Sequence, residues 1–186
     1  MSMNELERLK REIESDWGID DQMDRDYIAA TPLGIFVNYL HQRDTEILQW
    51  LLYSVTIRVL PCWEYHCDDG RPRKTIEKIG QYLIRRESSD ALMQYMEPTE
   101  PCVDDCRESD AGSASDAIAF AARYLVENDP LIAACSISAA DCAYLHLFTE
   151  DRFREWMIEV AIPASEEKRP LSQVEEYAYR VKKRIF

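Results

Sequence analysis

LPCWEYHCDDGRPRKTIE, residues Leu60–Glu77, joins a long apolar run on its left to a spaced apolar pattern on its right. A proline inside a helix removes one backbone donor and crowds the carbonyl four residues back. The run Ile47–Leu60 is therefore expected to end or bend at Pro61. Asp68-Asp69-Gly70 carries a stop signal, because glycine adopts positive φ freely and aspartate side chains accept bonds from the free amides of a following helix. Pro72 suits the first turn of a helix, where its missing N–H has no intrahelical partner anyway. Beyond it Ile76, Ile79 and Leu83 recur at helical spacing. The stretch predicts a helix, an acidic turn and a second helix. Trp63 and Tyr65 are expected to pack inside this corner. Asp68, Asp69, Arg71 and Arg73 are expected either to pair locally or to face a partner.

Working outward, Ile47–Leu60 is apolar nearly all round, which predicts a helix over about 45–60 covered on most sides, with Asp44 or Thr45 as its cap. Upstream, Leu6, Leu9 and Ile13 mark an amphipathic helix that Gly18 ends, with Trp17 anchored in the core. Thr31-Pro32 closes a helical piece from about Met23 and opens another through Leu33, Phe36, Val37 and Leu40, with His41 near its end as a cap. Downstream, Ser88-Ser89-Asp90 starts a short helix closed by Pro98 and Pro101. Acidic residues and loop formers crowd the next segment, so an acidic loop is expected over about 97–116. Ser113 or Ser115 is expected to cap the following helix. Small residues then line two segments around Asn128-Asp129-Pro130, which predicts an antiparallel Ala-rich hairpin over about 116–148 with Asp141 and His146 at its edges. A helix containing Phe153, Trp156, Met157 and Val160 is expected to stop at Pro163. A C-terminal helix, about 170–186, carries Leu171, Val174, Ala178, Val181 and Ile185. No stretch alternates strictly as a strand does, and only 5 glycines occur. The expectation is all-α: a single-domain, multi-helix bundle over residues 1–186 around the central apolar helix.

The chain has 186 residues and a formal net charge of −13. That sign argues against nucleic acid or an anionic membrane surface as the main partner, and favours a basic protein. No apolar run approaches the roughly 18 residues a membrane span needs. The charged N-terminus has no apolar signal core, so a cytoplasmic location is expected, and the six cysteines are read as reduced thiols. Cys62, Cys67, Cys102 and Cys106, with His66 nearby, raise a zinc reading, but their spacings are looser than the usual knuckle. Oxidation within Cys102–Cys106 is the alternative. No metal and no cofactor are expected. No phosphate loop, His-x-x-x-His pair or nucleophile elbow is present, so no catalytic residue is assigned and the expectation is a binding protein, not an enzyme.

The corner carries a resemblance. Pro61, Trp63-Glu64, Asp69, Arg71-Pro72-Arg73 and Ile76-Glu77 resemble the corner motif of an all-helical immunity protein family of bacterial polymorphic toxin systems. In that family an alanine-rich helix pair and a tryptophan-bearing helix follow, as Ala117–Ala143 and Arg154-Glu155-Trp156 do here. The likeness spans roughly residues 50–160. The alanine-rich block is shorter than the family's, the six cysteines depart from it, and the flanking N-terminal 45 residues and C-terminal helix have no counterpart. The resemblance implies binding and neutralising a cognate toxin. The acidic residues Asp68, Asp69, Asp104, Asp105, Glu108 and Asp110 are the expected contacts with a basic toxin cleft. The alternative is a helical interaction or regulatory module without a toxin partner, with a homodimer among its forms.

Overall fold

The computed structural model describes residues 5–17, 25–84, 88–99, 109–147 and 153–172. Those residues form an all-helical, compact bundle. The first helices are α1 (Glu5–Ser15), α2 (Arg25–Ala30), α3 (Pro32–Arg43), α4 (Thr45–His66), α5 (Arg71–Leu83) and α6 (Ser89–Thr99). They are followed by α7 (Ser109–Glu127), α8 (Pro130–Leu147), α9 (Phe153–Trp156) and α10 (Ile162–Glu166). One π-helical turn, Met157–Ala161, joins the last two. The expected C-terminal helix over about 170–186 lies, beyond Ser172, outside the described residues.

Local chemistry sets most of the boundaries. Thr31 caps α3: its hydroxyl accepts from the Gly34 amide at 3.1 Å and donates to the Ile28 carbonyl at 2.7 Å, with Pro32 in the first turn. Gly34 is required there, since a Cβ on it would fall 2.0 Å from the Ile28 carbonyl oxygen. Asp44 caps α4 through the Glu46 amide at 3.0 Å. The α7–α8 link turns on Asn128 at φ 57°, a left-handed conformation that asparagine tolerates, while Asp129 accepts from the Leu131 amide at 3.0 Å.

Several expectations need correction. Helix α4 does not end at Pro61 but runs on to His66. Pro61 and Ile57, whose carbonyl loses its partner, are both exposed, so the break in the ladder lies on the outer side of the helix. Helix α7 begins at Ser109, not near residue 116, and Glu97 lies within α6, so helix takes up both ends of the expected acidic loop over about 97–116, and residues 100–108 lie outside the described residues. Ser113 and Ser115 are therefore interior, not caps. Ala111 and Ala114 are buried and extend the alanine stripe toward the N-terminus. Pro163 does not stop the chain's helical path. The π turn shifts the ladder so that the Ile162 amide bonds Met157 O, and helix continues to Glu166.

The buried core runs from Leu6 to Ile162. Helices α7 and α8 pack along each other, and α4 touches α3, α5, α7, α8 and α10. Small residues let the hairpin close tightly: Ala117, Ala121, Ala133 and Ala140 are fully buried, and the Ser136 hydroxyl donates to Ala117 O across the pair at 2.7 Å. After α10 the chain folds back on the start of α4, where Lys168 Nζ meets Asp44 at 2.7 Å and Glu46 at 3.0 Å. None of the helices among the described residues is long and apolar enough to cross a membrane.

Candidate functional site

The corner between α4 and α5 is built from within the quoted stretch. Trp63 is buried, and its indole Nε1–H donates to Asp69 O at 2.8 Å, which folds the turn back under the helix. The Asp69 carboxylate accepts from the Arg71 amide at 2.8 Å with one oxygen and from Arg71 Nε at 2.7 Å with the other. Arg73 reaches back across the corner and donates to Glu64 at 2.7 Å. Pro72 is buried between them. The Arg-Pro-Arg pattern thus places one guanidinium on the turn and one on the preceding helix. Gly70 sits at φ −83°, ψ 1°, so the positive φ expected of it is not used.

Two side chains are left over. Tyr65, expected to pack inside, is instead 78% exposed, with the His66 ring against it at 4.9 Å in an edge-on arrangement. Asp68 is exposed beside it. The reason is helical phase: Trp63 and Cys62 face the core, and Tyr65 lies on the opposite side of the same turn. Of the expected contacts, Asp68 and Asp69 therefore stand together at the corner, with Asp69 engaged by Arg71 and Asp68 turned to solvent. Asp110 lies on the first turn of α7, where acidic residues suit the helix N-terminus. Asp104, Asp105 and Glu108 lie outside the described residues.

The reading of reduced thiols also needs correction, since Cys67, at the C-terminal cap of α4, is disulfide-bonded, whereas Cys62, Cys135 and Cys142 keep their thiols. A disulfide sulfur offers no thiolate to a metal. Among the described residues no group of three His, Cys, Asp or Glu side chains is placed to hold an ion. Cys102 and Cys106 lie outside the described residues.

Sequence reasoning missed a buried polar cluster. Arg58, in sequence only a break in the apolar run, is buried, donates to the Tyr144 hydroxyl and stacks within 4.9 and 5.0 Å of the Tyr144 and Trp156 rings. Asp141, expected at the hairpin edge, is also buried and pairs with Arg154 at 3.1 Å, whose guanidinium lies 5.1 Å from the Trp17 ring. An arginine in a long apolar run and an aspartate in an alanine block were the available signals, since buried charges need partners. The cluster ties α4, α8 and α9 to the end of α1, fixing how they meet. His41, expected as a cap, instead faces Tyr124 across 3.0 Å. Burial raises the Tyr124 pKa well above the usual phenol range, so its hydroxyl stays protonated beside His41 Nδ1.

No family model, no curated protein and no solved structure matches this chain.

Proposed function

We propose that this chain is an immunity protein, which binds a cognate bacterial toxin and neutralises it by occluding the toxin's active site or substrate channel. One observation carries the reading that it is a binding protein. The corner fixes Trp63, Asp69, Arg71 and Arg73 in place and presents a largely uncovered Tyr65, on a helix anchored by Trp63, next to the exposed carboxylate of Asp68. A tyrosine held this way supplies large contact area at low entropic cost, as interface anchors do. The partner class comes from the corner motif's resemblance and from the net charge of −13, which suits a basic cleft. Complementary charge of this kind speeds encounter and sharpens specificity more than it adds affinity. In this reading Asp104, Asp105, Glu108 and Asp110 extend the acidic contact, and Asp69 serves the corner.

The test is growth rescue. The reading frame adjacent to this gene is expressed with and without this protein. Killing by the neighbour, rescue by the wild type, and failed rescue by a folded Tyr65→Ala/Asp68→Lys variant are the expected results. Reversing the four acids at 104, 105, 108 and 110 lowers affinity at least about tenfold. A neighbour that is harmless, or that kills regardless, removes the toxin partner and leaves the interaction-module reading, for which a pull-down through Tyr65 is the next step.

A further inference from the structure

On the flank of α5 away from the corner lies an open groove of about 350 Å³, lined by Trp50 and Tyr53 of α4, Glu77, Gly80, Gln81 and Ile84 of α5 and its C-terminal cap, and Pro170. Its walls are aromatic: the Trp50 and Tyr53 rings meet edge-on at 5.9 Å and 74°. Gly80 brings α5 onto this pair, since a Cβ there would stand 2.8 Å from the Tyr53 hydroxyl. Among the described residues the one carboxylate in the lining is Glu77, which is exposed. The neighbouring cation on α5, Lys78, is directed to the Gln81 amide oxygen at 2.9 Å. Tyr53 has a raised pKa, caused first by burial and then by the negative charge of Glu77, which places that charge within electrostatic reach of the aromatic wall. The Trp50 indole N–H is buried behind this wall and has no acceptor among the described residues.

We infer that this groove receives a lysine or arginine side chain presented by a protein partner. A carboxylate beside tryptophan and tyrosine is the arrangement that recognises an organic cation. The ring quadrupoles attract the charge, the carboxylate neutralises it, and the apolar wall covers the methylene stem. The occupant is commonest on basic proteins, and the charge of this chain draws such partners. The inference uses none of the corner residues and stands whether or not the partner is a toxin.

The test is a titration of the full chain, followed by the NMR signal of the Trp50 indole N–H, assigned with Trp50→Phe. The probes are Nα-acetyl-lysine methylamide and its uncharged analogue Nα-acetyl-norleucine methylamide. The lysine probe is expected to shift the signal saturably and the norleucine probe to bind at least about fivefold more weakly. Glu77→Gln, with an unchanged unfolding midpoint, is expected to abolish that preference. Equal binding of the two probes, or a preference that survives Glu77→Gln, overturns the inference. So does the absence of a saturable shift with either probe. A full-length variant with glutamine at Arg180, Lys182, Lys183 and Arg184 separates the remaining source. Unchanged affinity for the lysine probe supports a partner's cation, and markedly tighter binding shows that the chain's own basic end occupies the groove and overturns the partner assignment.

Discussion

Asp69 and Asp68 are neighbours with different duties. Both oxygens of Asp69 are used by Arg71, and its carbonyl receives Trp63, so Asp69→Ala frees a turn amide and removes a carboxylate from a half-buried guanidinium. Loss of about 1–2 kcal/mol of stability is expected, measured by urea unfolding. Asp68→Ala at an exposed position is expected to change stability by less than about 0.5 kcal/mol. Gly70 gives a third outcome. Its φ is negative and nothing lies within 4 Å of where a Cβ would stand, so Gly70→Ala restricts only the unfolded chain. It should stabilise by about 0.4–1 kcal/mol in the same unfolding experiment, and a loss would mean that the turn needs glycine after all. At this scale the sequence showed which residues make the corner but not which way each faces. Tyr65 and Trp63 are two positions apart and equally aromatic, and only the phase of α4 against the core separates the buried ring from the exposed one.

At the scale of elements, caps and spacing were legible and interruptions were not. Thr31-Pro32 and Asp44 start helices where their chemistry says they should, and Asn128-Asp129 makes the expected link. Pro61 and Pro163 read as stops because a sequence records the missing donor but not the remedy. One lies on a solvent face, and the other is absorbed by a π turn. The start of α7 was hidden because Ser109, Gly112 and Ser113 look like loop, whereas the burial of Ala111 and Ala114 against neighbouring helices outweighs their weak helix preference. Within the candidate site, the corner was visible in the motif, while the Arg58–Tyr144 and Asp141–Arg154 contacts join residues far apart in the chain and leave no local pattern. The cap on α4 gives an element-scale prediction. Lys168 beside Asp44, together with the amides of Glu46 and Ile47, holds the Asp44 carboxyl below its usual range. A lowered folded pKa gives stability that is fully present above the unfolded value, about 4, and lost as pH falls through the folded one. Asp44→Ala should therefore cost about 1 kcal/mol at pH 7, and the gap to wild type should close below about pH 4 in acid unfolding curves. A gap that persists there would show that the charge of Asp44 is not what holds the cap.

At the scale of the molecule, the net charge of −13 is a property of the whole chain and was readable at once. The disulfide at Cys67 was not, because spacing alone does not tell a bonded cysteine from a free one. The fold-back of the chain onto α4 has a consequence in time as well as in stability. Lys168 and Glu46 are separated by 122 residues, and Arg43 and Glu166 by 123. Closing so long a loop is entropically late work, done after the α7–α8 hairpin, whose partners are near in sequence, has had its chance to form. The clamp is then absent from the folding transition state. Lys168→Met should leave the refolding rate within about twofold of wild type and place its effect in a faster unfolding rate, read from the two arms of a denaturant chevron. Slower refolding would instead put the clamp in the nucleus. In the expected case the clamp acts as a latch: it does not guide the chain to its fold, but it lengthens the time the finished bundle stays closed.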